Sequence, residues 1–520
     1  MLNWVLAFHG VIGMKVILGF LCLGFVVSCQ KELTKLRSKS DRSKNQSHAL
    51  TEQIKSFTSE DFSSRQERLR VGVDLDPEFT QERIEVMIFT DLAQNPERGS
   101  RRNFRYFSFR HMSDFLAKQQ NPEVMEKGLS KLLNSLSLRP FIVNPVAVDP
   151  EKTIFRIDLR DYGWSQKLWR VIVSRSPYAV KTDSRIEKAI QDFTGERKVH
   201  LRGDWFLRAG SQGFLYNTIL NMPDDLKGLE RALDINLKRN VRQGRALRLA
   251  FNNSRVAINN RILERHDQKF GYFWISWDFE SVQGNRERNI FDFPFEKNLF
   301  SRSGHERAGG EIIFSLPNGL QAYMVIDDQD GRIDEVPVNV ANEIRRPNKT
   351  MTNALSCMGC HNKGLNLGKD QLRARVEQFP GAYNRDVARA VLDLHAPEGE
   401  SEAVYEADNA VFARALSELN LSPRDPEPIL IGVEVFEDDI TADRAAKELG
   451  ITKDSLIRGL RFSDKLGRRL GGLIVNQTVD RDNFQDNFRN LVELFNLGEA
   501  INRNDADLLE KISNPKQGSR

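Results

Sequence analysis

The stretch from residue 261 to residue 333 constrains the fold most, because apolar side chains recur at every second position and turn residues stand at the breaks. Residues 261–266 read as a strand. From 272 to 279, Phe273, Ile275, Trp277 and Phe279 fall on one face, and Tyr272, Trp274, Ser276 and Asp278 fall on the other. Residues 311–316 and 320–326 flank Pro317-Asn318-Gly319, and Asn-Gly between two apolar runs is the strongest short hairpin signal. Asp330-Gly331 marks a second turn. The acidic run from Asp327 to Arg332 invites a calcium reading, but its glycine sits at the wrong offset for an EF-hand loop, so a hairpin turn is expected there.

The sequence before this stretch is mixed. Residues 84–89 read as a strand. Met125, Leu129, Leu132, Leu133 and Leu136 share one side of a helix. Phe155, Ile157 and Leu159 alternate with Arg156, Asp158 and Arg160, as in a half-buried strand. Residues 205–220 read as a helix or helix pair, and Pro223-Asp224-Asp225 opens another helix through Leu233. After residue 365 the pattern turns helical, over 369–379, 384–394, 402–419, 441–449, 453–462 and 481–496. The expected fold class is α+β: a body of helices and antiparallel strands, then a mostly helical C-terminal region.

With 520 residues the chain is long enough for two or three domains. A formal net charge of +4 is small for this length and lacks the concentrated basic face of a nucleic-acid binder. Lys15 precedes a short apolar run, Val16 to Val27, which ends at Ser28-Cys29. The run is too short for a comfortable membrane span. It looks like a bacterial lipoprotein signal with Val26-Val27-Ser28-Cys29 as the lipobox, which implies cleavage before Cys29 and acylation of its thiol. An uncleaved anchor or an ordinary secretory leader is the competing reading. Residues 30 to about 70 are polar and basic and read as a flexible tether.

Of the four cysteines, Cys22 leaves with such a leader and Cys29 takes the lipid, so only Cys357 and Cys360 remain in the body. They belong to Cys357-Met358-Gly359-Cys360-His361. Cys-x-x-Cys-His is the attachment motif of a c-type haem, with two thioether bonds and the histidine as proximal iron ligand. A zinc site needs further Cys or His ligands in a paired motif, and none is evident. A thioredoxin-like pair needs a preceding strand and has no use for His361.

The second axial ligand is open. No Met follows Met358, which removes a distal Met from the C-terminal helices. His395 is the downstream His; His111, His200, His266 and His305 lie upstream, as does Met324. His266 is the candidate chosen, because it lies in Glu264-Arg265-His266-Asp267 beside an aromatic strand and a carboxylate can orient an imidazole for iron. His305 follows Ser303-Gly304 and reads as a loop residue. Residues 445–460 resemble a helix-turn-helix, with a Gly450-Ile451 turn and a Thr452 cap, but an exported protein does not meet DNA.

Several segments resemble a family of large exported bacterial proteins with one c-type haem. They are 130–136, Arg156 to Trp164, Asp204-Trp205-Phe206, Glu264-Arg265-His266, Gly309 to Gln321, and Leu355 to His361. The resemblance spans roughly residues 100 to 365, and only the haem motif is specific. It implies a shared architecture, haem binding and electron transfer, and says little about a substrate.

The expected organisation is a signal peptide (1–29), a tether (30–70), an α+β domain (75–340), a haem-binding segment (341–400) and a helical C-terminal domain (401–520). The expected function is electron transfer by a membrane-tethered cytochrome facing the periplasm or cell exterior. Its one covalent haem c is held by Cys357, Cys360 and His361, and its redox partner is unnamed. The alternative is a peroxidase-like haem enzyme, or a gas or redox sensor with an open iron site. Nucleic acid is not an expected partner.

Overall fold

A computed structural model describes residues 73–95, 98–116, 123–252, 261–279, 290–305, 307–336, 351–366 and 368–501. The expected leader, Cys29 and the whole of the expected tether (30–70) lie outside the described residues. The fold is α+β with mainly antiparallel sheets, as the sequence leads one to expect.

The centre is a six-stranded antiparallel sheet: β1 (Leu247–Phe251), β2 (Arg261–Gln268), β3 (Gly271–Asp278), β4 (Gly309–Ser315), β5 (Gln321–Asp327) and β6 (Arg332–Ile333), each strand beside the next. The turn between β4 and β5 holds Gly319 at φ +86, where a glycine is at home. In the turn between β5 and β6, the Asp327 carboxylate accepts from the amides of Gln329 and Gly331, both at 2.9 Å, so this acid serves the turn.

Register fixes the two faces of this sheet. Leu263 opposes Ser276, which opposes Glu311; Trp274 opposes Ile313, which opposes Tyr323. One face therefore carries Leu263, Arg265, Trp274, Ser276, Glu311 and Tyr323. The other carries Glu264, His266, Phe273, Ile275, Phe314 and Met324. On the first face, helix Glu398–Glu418 stacks Tyr405 on Trp274, ring centroids 4.5 Å apart, and its Asp408 accepts from the Trp274 indole at 2.8 Å.

A second sheet of four strands includes Phe104–Ser108 and Ile154–Asp158, and the latter matches the expected strand. Helix Val124–Ser135 buries Met125, Leu129, Leu132 and Leu133 as their spacing predicts. Helix Pro428–Glu437 packs on it and on helix Gly203–Gly210. The Leu207 side chain fills the space over Gly432, where an added Cβ would stand 2.4 Å from Leu207 Cδ1.

Residues 84–89 are not a strand. They lie within helix Gln81–Gln94, where Thr80 caps the start by accepting from the Arg83 amide, and Glu85, Ile88, Phe89 and Leu92 are buried at helical spacing. The helix-turn-helix geometry is as expected: Ala442–Leu449, Gly450 in the left-handed region, then Lys453–Phe462 capped by Thr452. The start of its second helix is covered by the beginning of the described chain. The Asp74 amide donates to Ser455 Oγ at 2.9 Å, and Leu75 bridges to Ile451.

Candidate functional site

Met351–Thr352 pairs with Glu335–Val336, and the chain then turns through Asn353 and Ala354 into helix Leu355–Cys360. That turn is demanding. Ala354 takes a φ of +65, a costly conformation for a residue with a side chain. Asn353 is fully buried, and neither its amide nitrogen nor its amide oxygen has a hydrogen-bond partner among the described residues. Buried amides are normally satisfied, so an unmet polar demand lies beside the motif helix.

The helix is only one and a half turns long, and it brings the two cysteines one turn apart. Neither forms a disulfide among the described residues; Cys357 is buried and Cys360 partly exposed. His361 follows at the C-terminus of the helix. Its Nδ1 lies 3.1 Å from the carbonyl oxygen of Gly364. A carbonyl can only accept, so Nδ1 carries a proton. Nε2 faces the sheet, with Glu311 Oε1 at 3.6 Å, and the Tyr323 ring lies 6.3 Å from the imidazole. The Tyr323 amide donates to the hydroxyl of Tyr216 at 2.9 Å, and its own hydroxyl donates to Gln321 at 2.9 Å. The motif therefore lies on the Glu311–Tyr323 face of the sheet.

Electrostatics follow from this placement. Burial acts to raise the Glu311 carboxyl, but hydrogen bonding to His361 and the charges of His361 and Arg261 outweigh it and hold it below the usual carboxylate range. Burial, reinforced by Glu311, pushes the Cys357 thiol well above its ordinary range. A dithiol redox pair needs a nucleophilic thiolate, and this environment favours the neutral thiol.

His266 does not meet His361. Its side chain is on the opposite face of the sheet, fully buried, with Glu264 at 3.3 Å and Asn240 at 3.4 Å. Met324 shares that face. His395 is held by Asp370 at 2.8 Å, and His305 bonds the Phe293 carbonyl at 2.8 Å. His200 contacts Gln81 and Lys198, and His111 contacts Asp204. Each histidine considered as a distal ligand is thus engaged elsewhere. Glu311 and Tyr323, which the sequence reading passed over, are what face His361. An acid in the otherwise apolar run Gly309 to Leu316 was the available signal for Glu311.

Among the described residues, the metal-competent groups that gather within 4.8 Å of one another are His111, Asp204 and Glu448. Guanidinium groups already satisfy the two carboxylates. Arg202 bonds Asp204 at 2.6 Å and Glu448 at 2.5 Å, and Arg481 bonds Glu448 twice at 2.9 Å. This cluster is a buried ion network tying the four-stranded sheet to the C-terminal helices. A cleft of about 810 Å³ opens beside helix Arg385–Leu394, lined by Arg242, Asn298, Arg302 and Asp386 among others, and no motif residue lines it.

In donor chemistry the motif fits a c-type haem: two cysteines one turn apart, and an imidazole whose Nδ1 is tied to a backbone carbonyl, so that Nε2 is the nitrogen that would meet iron. No family model matches the chain, and no match was found among curated proteins or solved structures.

Proposed function

We propose that this protein is a c-type cytochrome that carries one haem on Cys357, Cys360 and His361 and exchanges electrons with a partner protein. The observation that carries the reading is the hydrogen bond from His361 Nδ1 to the Gly364 carbonyl, in a motif whose two cysteines form no disulfide among the described residues. That bond makes Nε2 the nitrogen that would meet iron. The covalent haem would supply one-electron chemistry, and the chain would hold it against loss outside the cytoplasm. The same proposal makes the protein an exported lipoprotein, anchored through acylated Cys29. The segments quoted above support membership in the exported monohaem family.

An enzyme or sensor is the second reading, and a specific observation favours keeping it. No histidine or methionine candidate is placed opposite His361 among the described residues, and a sixth position without a strong protein ligand admits small molecules.

The test is an absorption spectrum of the exported protein. Haem should survive acid-acetone extraction and should be lost from a Cys357→Ala/Cys360→Ala variant. Haem that extracts freely, or that stays bound to the double variant after denaturation, overturns the covalent reading. Carbon monoxide then separates the two functions: an unchanged low-spin spectrum supports a carrier, and a high-spin spectrum that shifts with the gas supports a sensor or enzyme.

A further inference from the structure

The strongest unassigned surface lies at the far C-terminal end of the fold, on helices Lys453–Phe462 and Asp464–Arg469 and the turn Gly471–Ile474 that packs beside them. Their inner sides are ordinary: Leu456, Leu460, Leu466 and Leu473 are buried. Their outer side is not. Phe462 is 81% exposed and Val475 is 65% exposed, the two most open of the large apolar side chains. A single exposed hydrophobe needs no account, but these two lie on or next to elements that pack together and that carry exposed basic residues.

Between residues 453 and 476 the sequence carries Lys453, Arg458, Arg461, Lys465, Arg468 and Arg469 against Asp454 and Asp464. Arg458 and Arg461 on the first helix and Lys465 and Arg468 on the second are all exposed. An aromatic ring among spaced basic side chains suits a surface that is anionic outside and apolar just beneath. A phospholipid interface has that build.

Where the chain enters the fold points the same way. The first described residues run along this very helix. The Asp74 carboxylate accepts from Arg458 at 2.9 Å, and the Thr452 amide donates to the Asp74 carbonyl at 2.9 Å. The segment that leads back to Cys29 therefore joins the body beside the basic face. Its first part is basic too, with Lys31, Lys35, Arg37, Lys39, Arg42 and Lys44 against Glu32 and Asp41. One acyl signal gives marginal binding by itself, and a polybasic surface is the usual second signal.

We infer that the face formed by Arg461, Phe462, Lys465, Arg468 and Val475 docks on an anionic phospholipid surface, with Phe462 and Val475 entering the interface and the basic side chains meeting headgroup phosphates. The inference is independent of the haem. The lipoprotein reading explains which surface is near, but the binding itself needs no acyl group.

The test uses the mature chain from residue 30, without the acyl group, in co-sedimentation with phosphatidylglycerol-containing vesicles and with pure phosphatidylcholine vesicles. The protein should sediment with the anionic vesicles, less so as salt rises. Arg461→Glu/Lys465→Glu should weaken binding by roughly tenfold or more, at about 1 kcal/mol per basic residue near the surface. Phe462→Asp/Val475→Asp should also lose binding, and Phe462→Leu should keep it. All four positions are exposed, so circular dichroism should confirm an unchanged fold. Equal sedimentation of the charge-reversed and wild-type chains assigns binding to the basic segment after residue 30 and overturns the proposal. So does equal binding to phosphatidylcholine, or capture by duplex DNA through Arg461 and Lys465 without capture by vesicles.

Discussion

His361 donates from Nδ1 to the Gly364 carbonyl at 3.1 Å, and Gly364 can hold that carbonyl in place because it adopts a φ of +101. A Cβ at this position would stand 2.4 Å from Asn409 Oδ1, the atom that accepts from the Leu365 amide. Gly364→Ala should therefore disturb the loop that orients the imidazole. The expected cost is about 1–3 kcal/mol of stability. The reduction potential should rise, because a histidine with a weaker Nδ1 bond is a poorer donor to oxidised iron. Chemical denaturation and a redox titration check the two effects. An unchanged potential in a destabilised variant would show that the bond is structural only.

Glu311 faces Nε2 of the same histidine at 3.6 Å. Glu311→Gln keeps the shape and removes the charge. On the proposed haem reading, the variant should keep covalent haem and its potential should rise by roughly 40 mV. That shift corresponds to about 1 kcal/mol, what a unit charge about 4 Å away exerts in water, so the burial of Glu311 makes it a minimum. Spectroelectrochemistry of the variant reads the shift directly. A potential that stays put would place the carboxylate away from the iron.

The two acids in the ion network predict how the protein meets acid. Burial raises the Asp204 carboxyl, but Arg202 and then His111 pull it well below its ordinary value. Arg202 and Arg481 do the same for Glu448 against the same burial. Both carboxyls are lower in the folded than in the unfolded state, so the unfolded chain binds more protons as the pH falls. Their contribution is complete above the ordinary carboxylate range, about pH 4, and is lost progressively below it. Glu448→Gln should cost about 3–5 kcal/mol at pH 7, since it leaves Arg202 and Arg481 buried beside a neutral side chain. The loss should shrink at pH 3. Urea midpoints at the two pH values test this, and a penalty that is equal at both would remove the network from the account of acid stability.

The central sheet was legible because its period of two survives in the sequence: Phe273, Ile275 and Trp277 do share a face, and Asn318-Gly319 does make the turn. Which face receives the haem motif was not legible. That depends on where helix Leu355–Cys360 lands, and nothing near His266 encodes it. His266 looked suitable for its local company, Glu264, and that company turned out to be its burial partner on the wrong face. The run Ile84 to Phe89 misled because a short β-branched stretch suits either period, and the decisive signals were the Thr80 cap and the 85-88-89-92 spacing. Helix Pro428–Glu437 was passed over for the opposite reason. Pro428-Ile429-Leu430-Ile431-Gly432-Val433 is apolar on all sides, so no amphipathic period marks it.

That hidden helix carries the last prediction. Ile429, Val433 and Phe436 are fully or almost fully buried, and Gly432 sits against Leu207 at a distance no other residue tolerates without movement. Gly128 on the facing helix has the same constraint, with the Pro428 carbonyl oxygen 2.9 Å from where its Cβ would be. Gly128 lets the backbone at Pro428 approach its helix, and Gly432 makes room for the Leu207 side chain of a second body helix. Gly432→Ala must push Leu207 off its rotamer or separate the helices, so it should cost about 1–3 kcal/mol despite the better helix propensity of alanine. Gly432→Ala/Leu207→Ala gives the new methyl group room, so its cost should be less than the sum of the two single changes by 0.5 kcal/mol or more, roughly. A double-mutant cycle in urea measures the coupling. Strict additivity would mean that the two helices do not meet at these residues.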